Sequence, residues 1–490
     1  CVILESQAEA GGLAGSFSIR THLKNSFGRD TGQFRAAQEA TTKVYPLDTP
    51  RRSDAVIAQN WPYPFGLRRF FRSASLLFGK VSKDTISSSR LAESEKSRAT
   101  RLEDIFKMGS KYFPLGYHHI LYQDKPLLRT LKKLGLYQQV AWKKGKVLFA
   151  INNQIYNLEN PLEFLKFPLP FLDKLRFIKL MAYCMFRKNW DSDLGDAETW
   201  LDNIAGKNVR QTIFDPLMDI KYGLPSKELS ANWIGSRLHY QEFSKPLGYL
   251  PGQDWTKVLT EKLTDKVKML GGEILTGARV KKITRQENKI TGVVYENDGK
   301  NQEIAAEILI NTAPPHIFLS FCGYRDPKLE KIEYLDALSL ILETEQKLPR
   351  ELYLLSCLKP RYSFGGIFML SSLNKTLGVK NGTIINFFTT LSPNYEYLRG
   401  KNSEELLEIY RQDFEKIFGF RLKPLWHHLT LIKNYSPKFL NGYENPETRG
   451  KIPGLYFAGN YLTYPIITST GSAIASGEKA ADFILEDYGN

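Results

Sequence analysis

The sequence predicts an α/β protein with a Rossmann-like domain and a second, α+β domain. Three stretches of the 490-residue chain carry this prediction. Residues 1–5 are apolar and precede a glycine turn, as in a buried strand. Residues 307–312 form another apolar strand, which two prolines close. Residues 454–485 combine a strand, a glycine turn, a loop and an alanine-rich helix, and such a strand, turn and helix are typical of a nucleotide-binding domain.

The first strand ends in Glu5, and at this place a carboxylate can accept hydrogen bonds from the ribose hydroxyls of an adenosine. A strand-terminal glutamate can also be merely solvated. The residues that follow favour binding, because Gly11 and Gly12 let the backbone pass close to a pyrophosphate. A second element, with Gly459 and the helix after Gly471, offers N–H groups to the other end of a cofactor. Two such separated elements fit a long dinucleotide, of which FAD is one.

The middle of the chain predicts two helices, and residues that favour helix ends mark where they begin or stop. Residues 125–136 have leucines at helical spacing and Gly135 where the helix would stop. Residues 254–272 have Asp254 as a cap, apolar residues every three or four positions, and Gly271 after the last turn. Three short β segments follow, in residues 273–286, 289–298 and 306–315. The sequence Asn297-Asp298-Gly299 predicts a turn at the end of the middle segment.

These elements divide the chain into six segments that alternate between the predicted domains. The cofactor domain would comprise residues 1–17, 251–317 and 441–490. The substrate domain would comprise residues 111–250 and 318–440. Residues 18–110 carry 17 Lys/Arg against 9 Asp/Glu, about half of the net charge of +15, and are rich in serine without apolar periodicity. We therefore expect a basic, disordered insertion there.

Composition limits the class of protein. The four cysteines are far apart and form no CxxC pair, which fits a reducing compartment, and no His, Cys or acidic grouping has metal-ligand spacing. No apolar run is long enough for a spanning helix. Residues 164–188 are the nearest approach, but cations interrupt them. This segment predicts either a helix in a membrane interface or a helix hairpin that lines an apolar cavity.

The chain resembles the amine oxidase superfamily of flavoproteins, which includes protoporphyrinogen oxidase and the phytoene desaturases. The resemblance is carried by "VILESQAEAGGLAGSF", "RVKKI" with "LINTAPP", and "GLYFAGNYLTYP" with "GSAIASGEKAA". The stretch "KYFPLGYHHILYQDKPLLRTLKKLGL" is similar to a protoporphyrinogen-oxidase-like branch. The similarity spans residues 1–17 and 107–488. It implies FAD as the cofactor and hydride transfer from the substrate to the flavin as the reaction.

The resemblance also implies roles for individual residues. Those at the adenosine and phosphate end would be Glu5 for the ribose, Gly11, Gly12 and Gly15 for the phosphates, and Val280 for the adenine. Those nearer the flavin ring would be Gly459 and Asn460 along the ribityl chain, and Gly471, Ser472 and Ala473 at the start of the last helix. Its catalytic residues stay unassigned, with Tyr117, His118 and His119 as candidates for a group near the flavin. The two adjacent histidines would lie on a strand and point to opposite faces.

Three departures from the family pattern qualify these expectations. Leu13 follows the paired glycines, where many relatives have a cation for the phosphate. Asn460 stands where an acid is common, although an amide can still bond a ribityl hydroxyl. The strand and GxGxxG turn expected before Glu5 are not in the sequence, so we expect an N-terminally truncated chain that binds FAD weakly or not at all.

The predicted function is oxidation of an apolar or amphipathic small molecule, such as a porphyrinogen, a polyisoprenoid or an amine. Six aromatic residues of the second domain suit an apolar pocket: Tyr240, Phe243, Tyr249, Tyr362, Phe364 and Phe368. The alternatives are a nucleotide-sugar mutase of the same fold, or a non-catalytic basic protein that binds nucleic acid or membrane. For the enzyme we expect a cytoplasmic location, no nucleic-acid partner, and peripheral membrane association as an open alternative.

Overall fold

A computed structural model describes residues 1–7, 112–240, 245–378 and 382–489, together with the backbone of residues 16–18. These residues belong to one unit of the chain, formed by Cys1–His22 and Ser110–Asn490. The turn predicted at Gly11, Gly12 and Gly15 lies outside the described residues. So does the predicted insertion, 18–110, apart from its first residue.

The described residues form strands and helices in an order that mixes both classes along the whole chain. The strands are β1 (Val2–Glu5), β2 (Ser16–Ser18), β3 (Tyr112–Pro114), β4 (Ile120–Leu121), β5 (Ala141–Lys143), β6 (Val147–Ile151), β7 (Gln154–Tyr156), β8 (Leu247–Tyr249), β9 (Glu273–Thr276), β10 (Arg279–Gln286), β11 (Lys289–Asn297), β12 (Lys300–Ala305), β13 (Leu309–Asn311), β14 (Tyr334–Thr344), β15 (Leu354–Lys359), β16 (Gly366–Met369), β17 (Thr383–Thr390), β18 (Trp426–Pro437) and β19 (Leu455–Phe457). The helices are α1 (Lys125–Lys133), α2 (Pro161–Lys166), α3 (Phe171–Phe186), α4 (Ala197–Ile204), α5 (Lys207–Val209), α6 (Asp215–Tyr222), α7 (Ala231–Tyr240), α8 (Trp255–Met269), α9 (Pro315–Cys322), α10 (Pro327–Glu330), α11 (Leu370–Leu373), α12 (Ser403–Phe418) and α13 (Thr470–Tyr488).

Two parallel strand pairs stand where the sequence predicts the cofactor domain. Strand β1 pairs with β9, so that Glu5 lies beside Thr276, and β13 pairs with β19. Leu4 of β1 packs on the same apolar cluster as Leu455 and Phe457 of β19. The two pairs therefore share a core, and the predicted strands 1–5 and 307–312 and the predicted α/β class are confirmed.

Strands β10, β11 and β12 form an antiparallel meander beside this core. The turn predicted at the end of the middle segment joins β11 to β12, with positive φ angles at Asp298 (49°) and Gly299 (73°). Two consecutive positive φ angles are typical of the tight hairpin turn that such sequences form. Strand β12 itself is not predicted from the sequence, because its residues are mostly exposed and polar.

The two helices whose ends the sequence predicts occur at the predicted positions. Asp124 caps α1 and Asp254 caps α8, each accepting a backbone N–H in the first turn. Gly135 and Gly271 follow these helices with φ angles of 71° and 78°, which a residue with a side chain adopts only with strain. The apolar spacing and the glycines after the last turns therefore located both helices, together with the Asp254 cap for α8.

A seven-stranded sheet, in the order β18-β14-β17-β16-β15-β6-β7, dominates the rest of the chain. Its strands are antiparallel except for the parallel pair of β15 and β6. Helix α12 covers one face and packs Tyr410 and Phe414 against Leu340 and Phe387. Because side chains alternate along a strand, the neighbouring residue Phe388 points to the opposite face. That opposite face is the one on which the candidate site is built.

Residues 164–188, which the sequence assigned to an interfacial helix or a helix hairpin, belong to α2 and α3. Leu180 and Cys184 of α3 pack in a second apolar cluster with Trp190, Trp200 and other residues of the following helices. Among the described residues, none of the helices has the length and apolar character needed to cross a bilayer. Helix α3 therefore has one buried face and one exposed face.

The ends of the predicted insertion are held together. Strand β2 pairs antiparallel with β3, so that Ser18 is the direct neighbour of Tyr112. We expect that replacing residues 24–108 by about ten Gly/Ser residues will preserve the fold and raise the free energy of unfolding by about 2 kcal/mol, since the loop-closure cost grows by about 0.6 kcal/mol per doubling of loop length. Urea unfolding of the parent and the shortened chain measures the difference. A clearly lower unfolding midpoint in the shortened chain would contradict the expectation.

Candidate functional site

Glu5 lies at the carboxyl end of β1, as the sequence predicts. Its backbone carbonyl accepts the Ala278 N–H at 2.9 Å, two residues before Val280, and its Oε1 accepts the Gln7 N–H at 2.9 Å. The structure therefore brings Glu5 and Val280, the two residues expected at the adenosine, to one end of the parallel strand pair. The three glycines expected at the phosphates, Gly11, Gly12 and Gly15, are outside the described residues.

The turn after β19 contains the next two predicted residues. Gly459 has a φ angle of 148°, and its N–H donates to the Ser476 hydroxyl of α13 at 2.9 Å. The Asn460 side chain accepts a 2.7 Å hydrogen bond from the Tyr334 hydroxyl, whose pKa is raised by burial. The amide that replaces the usual acid is therefore oriented by a partly buried tyrosine, which the sequence did not indicate.

Helix α13 begins at Thr470, two residues before the start that the sequence predicts. Ser469 is the cap, and its hydroxyl accepts the Ser472 N–H at 3.0 Å while the Ser472 hydroxyl accepts the Ser469 N–H at 2.8 Å. Ala473 makes an ordinary helical hydrogen bond to the Ser469 carbonyl. Of the three residues expected near the flavin ring, Ser472 is thus engaged in a capping box.

The Asp124 side chain also lies at the start of α13. No pattern in the sequence predicted this contact. The Asp124 Oδ2 accepts the Ser469 hydroxyl at 2.9 Å and the Gly471 N–H at 3.2 Å, while its Oδ1 accepts the Leu127 N–H of α1 at 3.3 Å. Burial raises the pKa of this carboxyl, and the hydrogen bonds partly offset that effect. One side chain therefore joins the N-termini of two helices that are 345 residues apart in sequence.

The candidate catalytic residues Tyr117, His118 and His119 lie between β3 and β4 in a segment that is not a strand, so the expected strand geometry is wrong. The Tyr117 ring stacks on Phe368 with centroids 3.6 Å apart and planes 10° apart. Its hydroxyl is 3.1 Å from that of Tyr435. The segment therefore lies on the face of the seven-stranded sheet opposite to α12.

His119 is on the same side of this segment as Tyr117, with ring centroids 6.3 Å apart. Its Nδ1 lies 2.7 Å from the hydroxyl of the buried Tyr353. The close approach of this segment to the seven-stranded sheet depends on Gly116, because a Cβ there would lie 3.3 Å from Ile432 and 3.5 Å from Phe388. Tyr117, His119, Tyr353, Phe368, Phe388 and Tyr435 form what we call the aromatic cluster.

The described aromatic residues that the sequence predicts in an apolar pocket do not all lie in one place. Phe368 belongs to the aromatic cluster. Tyr362 and Phe364 pack in the core between the sheet and α12 instead, because they lie on the other face of the sheet. Tyr240 and Tyr249 end α7 and β8, and Phe243 is outside the described residues.

The residues at the start of α13 fit a flavin cofactor. A Cβ at Gly471 would lie 1.5 Å from the Asp124 carboxylate, so only glycine lets an oxygen acceptor reach the backbone N–H there. A helix N-terminus that receives a carboxylate oxygen also suits the carbonyl oxygen of a flavin ring. Glu5 supplies the acceptor that a ribose needs. No group of His, Cys, Asp and Glu that could hold a metal ion occurs within the described ranges.

Comparison with known proteins identifies similar sequences and structures. The family model described as "Flavin containing amine oxidoreductase" matches residues 100–485. The 15-cis-phytoene desaturase of Solanum lycopersicum is 21% identical over 422 residues, which cover 76% of this chain and 69% of that protein.

Solved structures with the same fold include a protein assigned as a protoporphyrinogen oxidase from Exiguobacterium sp. 255-15. It has a TM-score of 0.61 and 16% identity, over 77% of this chain and 88% of its own. Reduced UDP-galactopyranose mutase has a TM-score of 0.59 and 13% identity, over 77% of this chain and 85% of its own. At these identities the two structures show that the fold is shared.

Proposed function

Since this chain belongs to the family of flavin-containing amine oxidoreductases, we propose that it oxidises an apolar or amphipathic small molecule, from which FAD, when bound, accepts a hydride. The oxidoreductase class and the FAD cofactor follow from the family. The substrate and the roles of individual residues are our proposal. Membership in a family of enzymes sets aside the non-catalytic alternative considered from the sequence.

The position of residues 116–124 is the observation that carries the proposal. At one end, Tyr117 and His119 belong to the aromatic cluster, and at the other end Asp124 reaches the start of α13. The same short segment therefore adjoins the helix N-terminus suited to a flavin ring and a wall of aromatic side chains suited to a substrate. This is the juxtaposition that hydride transfer requires, because the reacting atoms must be in contact.

The aromatic cluster supports an apolar substrate. Phe368 and Phe388 are buried on the sheet, and the Tyr117 ring covers Phe368 face to face. In our proposal Tyr117 is a wall of the substrate site. His119, held by the Tyr353 hydroxyl, is a positioning group and a candidate for proton transfer. The relatives named above act on a polyisoprenoid in one case and are assigned to a porphyrinogen in another, so both classes are candidates, together with amines.

A nucleotide-sugar mutase is the second candidate, favoured by the structural similarity to UDP-galactopyranose mutase. Such an enzyme would regenerate its flavin without net oxidation of the substrate. The aromatic cluster favours the first proposal, because its six residues include no Lys or Arg for the phosphates of a nucleotide sugar.

Anaerobic reduction of the FAD-loaded chain tests the proposal. Representatives of the three substrate classes are mixed in turn with the protein, and loss of the oxidised flavin absorption is followed. We expect one class to bleach the flavin in proportion to the product formed. A chain that converts UDP-galactopyranose only after chemical reduction, and is bleached by none of the three, would favour the mutase instead.

Two variants locate the substrate site in that experiment. Tyr117→Leu is expected to raise KM for the substrate, since it removes the aromatic wall, and His119→Gln to lower kcat by about tenfold or more. Both should leave the flavin content unchanged, because neither residue touches the elements assigned to the cofactor. Tyr410→Phe, on the other face of the sheet, is the control and should change neither parameter. Unchanged kinetics in all three variants would place the substrate elsewhere.

A further inference from the structure

Helix α3 presents a second apolar face to solvent. The exposed large apolar side chains, with their exposed fractions, are Phe171 (64%), Leu172 (65%), Leu175 (48%), Ile178 (52%), Met185 (47%) and Phe186 (77%). Positions 171, 175, 178 and 185 recur at helical spacing and so form one stripe. The opposite face, with Leu180 and Cys184, is buried in the protein. The exposed stripe is therefore not needed to attach α3 to the fold.

Helix α2 continues this apolar surface. Leu162 and Leu165 are 71% and 57% exposed. The two helices are fixed together by the Lys174 ammonium, which donates to the Leu165 and Leu169 carbonyls at 2.9 and 2.7 Å. Together the exposed apolar residues of α2 and α3 make what we call the α2–α3 surface. A contiguous exposed apolar surface of this kind marks a site of interaction.

Cations outnumber acids along the two helices of the α2–α3 surface, and the next acids, Asp191 and Asp193, follow Lys188. Residues 161–190 contain six Lys/Arg and two Asp/Glu. Both acids already have partners, since Glu163 pairs with Arg350 at 2.6 Å and Asp173 with Arg176 at 2.8 Å. Lys179 lies on the exposed side of α3 and Lys188 just beyond its end. A partner for this surface must therefore be apolar in the middle and negatively charged around it.

We propose that the α2–α3 surface docks on an anionic membrane, with both helices lying in the plane of the interface. The apolar side chains would enter the boundary of the acyl chains, while the lysines stay at the level of the headgroups. Charge complementarity favours this occupant, because anionic headgroups supply negative charge all around an apolar interior. At 16 residues α3 is too short to cross a bilayer, so it would lie along the surface. The inference does not depend on the proposed catalytic function.

Sedimentation of the full chain with lipid vesicles tests the proposal. The vesicles contain either phosphatidylcholine alone or phosphatidylcholine with phosphatidylserine. We expect binding to the anionic vesicles that weakens with added salt, and at least tenfold weaker binding to the neutral ones. No binding to the anionic vesicles would overturn the proposal.

A triple variant of exposed leucines locates the binding surface. Replacement by serine is made at Leu162, Leu172 and Leu175, and we expect a loss of vesicle affinity of at least tenfold, since each leucine would leave the acyl boundary. The matched control replaces three other exposed leucines, namely Leu263 of α8, Leu270 just after its end and Leu485 of α13, which are 38%, 72% and 65% exposed. The control should bind as the parent does. Equal binding by the parent and the first variant would assign the binding to another part of the chain and overturn the proposal.

A second pair of variants separates the electrostatic contribution. Alanine replaces Lys166, Lys179 and Lys188 in one variant, and in the control it replaces Lys282, Lys289 and Lys300 of the meander, which are also exposed. We expect a loss of about fivefold per lysine in the first variant only. If both variants lose affinity equally, general positive charge explains the binding and the proposal is wrong. A dimer of the chain that the leucine variant abolishes, without any vesicle binding, would assign the surface to a second copy and also overturn it.

Discussion

Replacement of Gly471 by alanine is expected to lower the free energy of unfolding by about 3 kcal/mol and to weaken FAD retention. A Cβ at this position would lie 1.5 Å from Oδ1 and 2.4 Å from Oδ2 of Asp124. The carboxylate must then move, and α1 loses its cap while the Ser469 hydroxyl loses its acceptor. A lost cap costs about 1 kcal/mol, and overpacking adds about 1 to 3 kcal/mol. Urea unfolding and titration of each purified protein with FAD measure the two effects.

Gly477 on the same helix supplies the matched control. A Cβ there would meet nothing within 4 Å, so Gly477→Ala should stabilise the protein by up to about 1 kcal/mol through helix propensity. Asp124→Ala combined with Gly471→Ala completes a double-mutant cycle. If the two side chains compete for one space, the double variant should be less destabilised than the sum of the single ones. Additive losses, or a Gly471→Ala protein with parental stability and flavin content, would show that Asp124 does not occupy this position.

The stability of the protein is expected to fall as the pH rises from about 4 to about 7, because of Asp254. Burial raises the pKa of this carboxyl to about 7, against which the hydrogen bonds from Thr256 act. Its Oδ2 is buried without a hydrogen-bond partner among the described residues. Because the folded-state pKa exceeds the unfolded value of 3.8, the folded chain binds the proton more tightly, and stability is lost as the proton leaves. Over this range the loss should reach about 3 kcal/mol.

Asp254→Asn removes this titration and retains the acceptor for the Thr256 N–H. The variant should therefore be more stable than the parent at pH 8 and closer to it at pH 4 in urea unfolding. Asp196, the cap of α4, is the control with the opposite sign. Burial raises its pKa, but the Thr199 hydrogen bonds outweigh that effect and lower it overall, so Asp196→Asn should reduce the loss of stability at acid pH. Parallel pH profiles for Asp254→Asn and the parent would exclude the titration of Asp254.

The sequence alone determined the elements whose signals are local. Asp254 and Gly271 bound helix α8, and Asp298 with Gly299 form the hairpin turn, because caps and turns depend on residues within a few positions. Strands β13 and β19 also followed from short apolar runs closed by prolines or glycine, although their parallel pairing is seen only in the structure. The family resemblance supplied FAD and the class of enzyme, which the family model supports. The six domain segments and the cytoplasmic location stay predictions, as do the truncation and the roles of the cofactor residues.

Only the tertiary structure decided which distant residues share the site. Asp124 reaches Ser469 and Gly471, and Tyr117 stacks on Phe368, across separations that no local pattern encodes. The sequence placed His118 and His119 on a strand, whereas the structure has no strand there and Gly116 packs this segment against the sheet. The exposed stripe of α3 could not be identified from the sequence either. This helix is apolar on both sides, so its sequence cannot tell which side the neighbouring helices cover, and only the positions of those neighbours settle it.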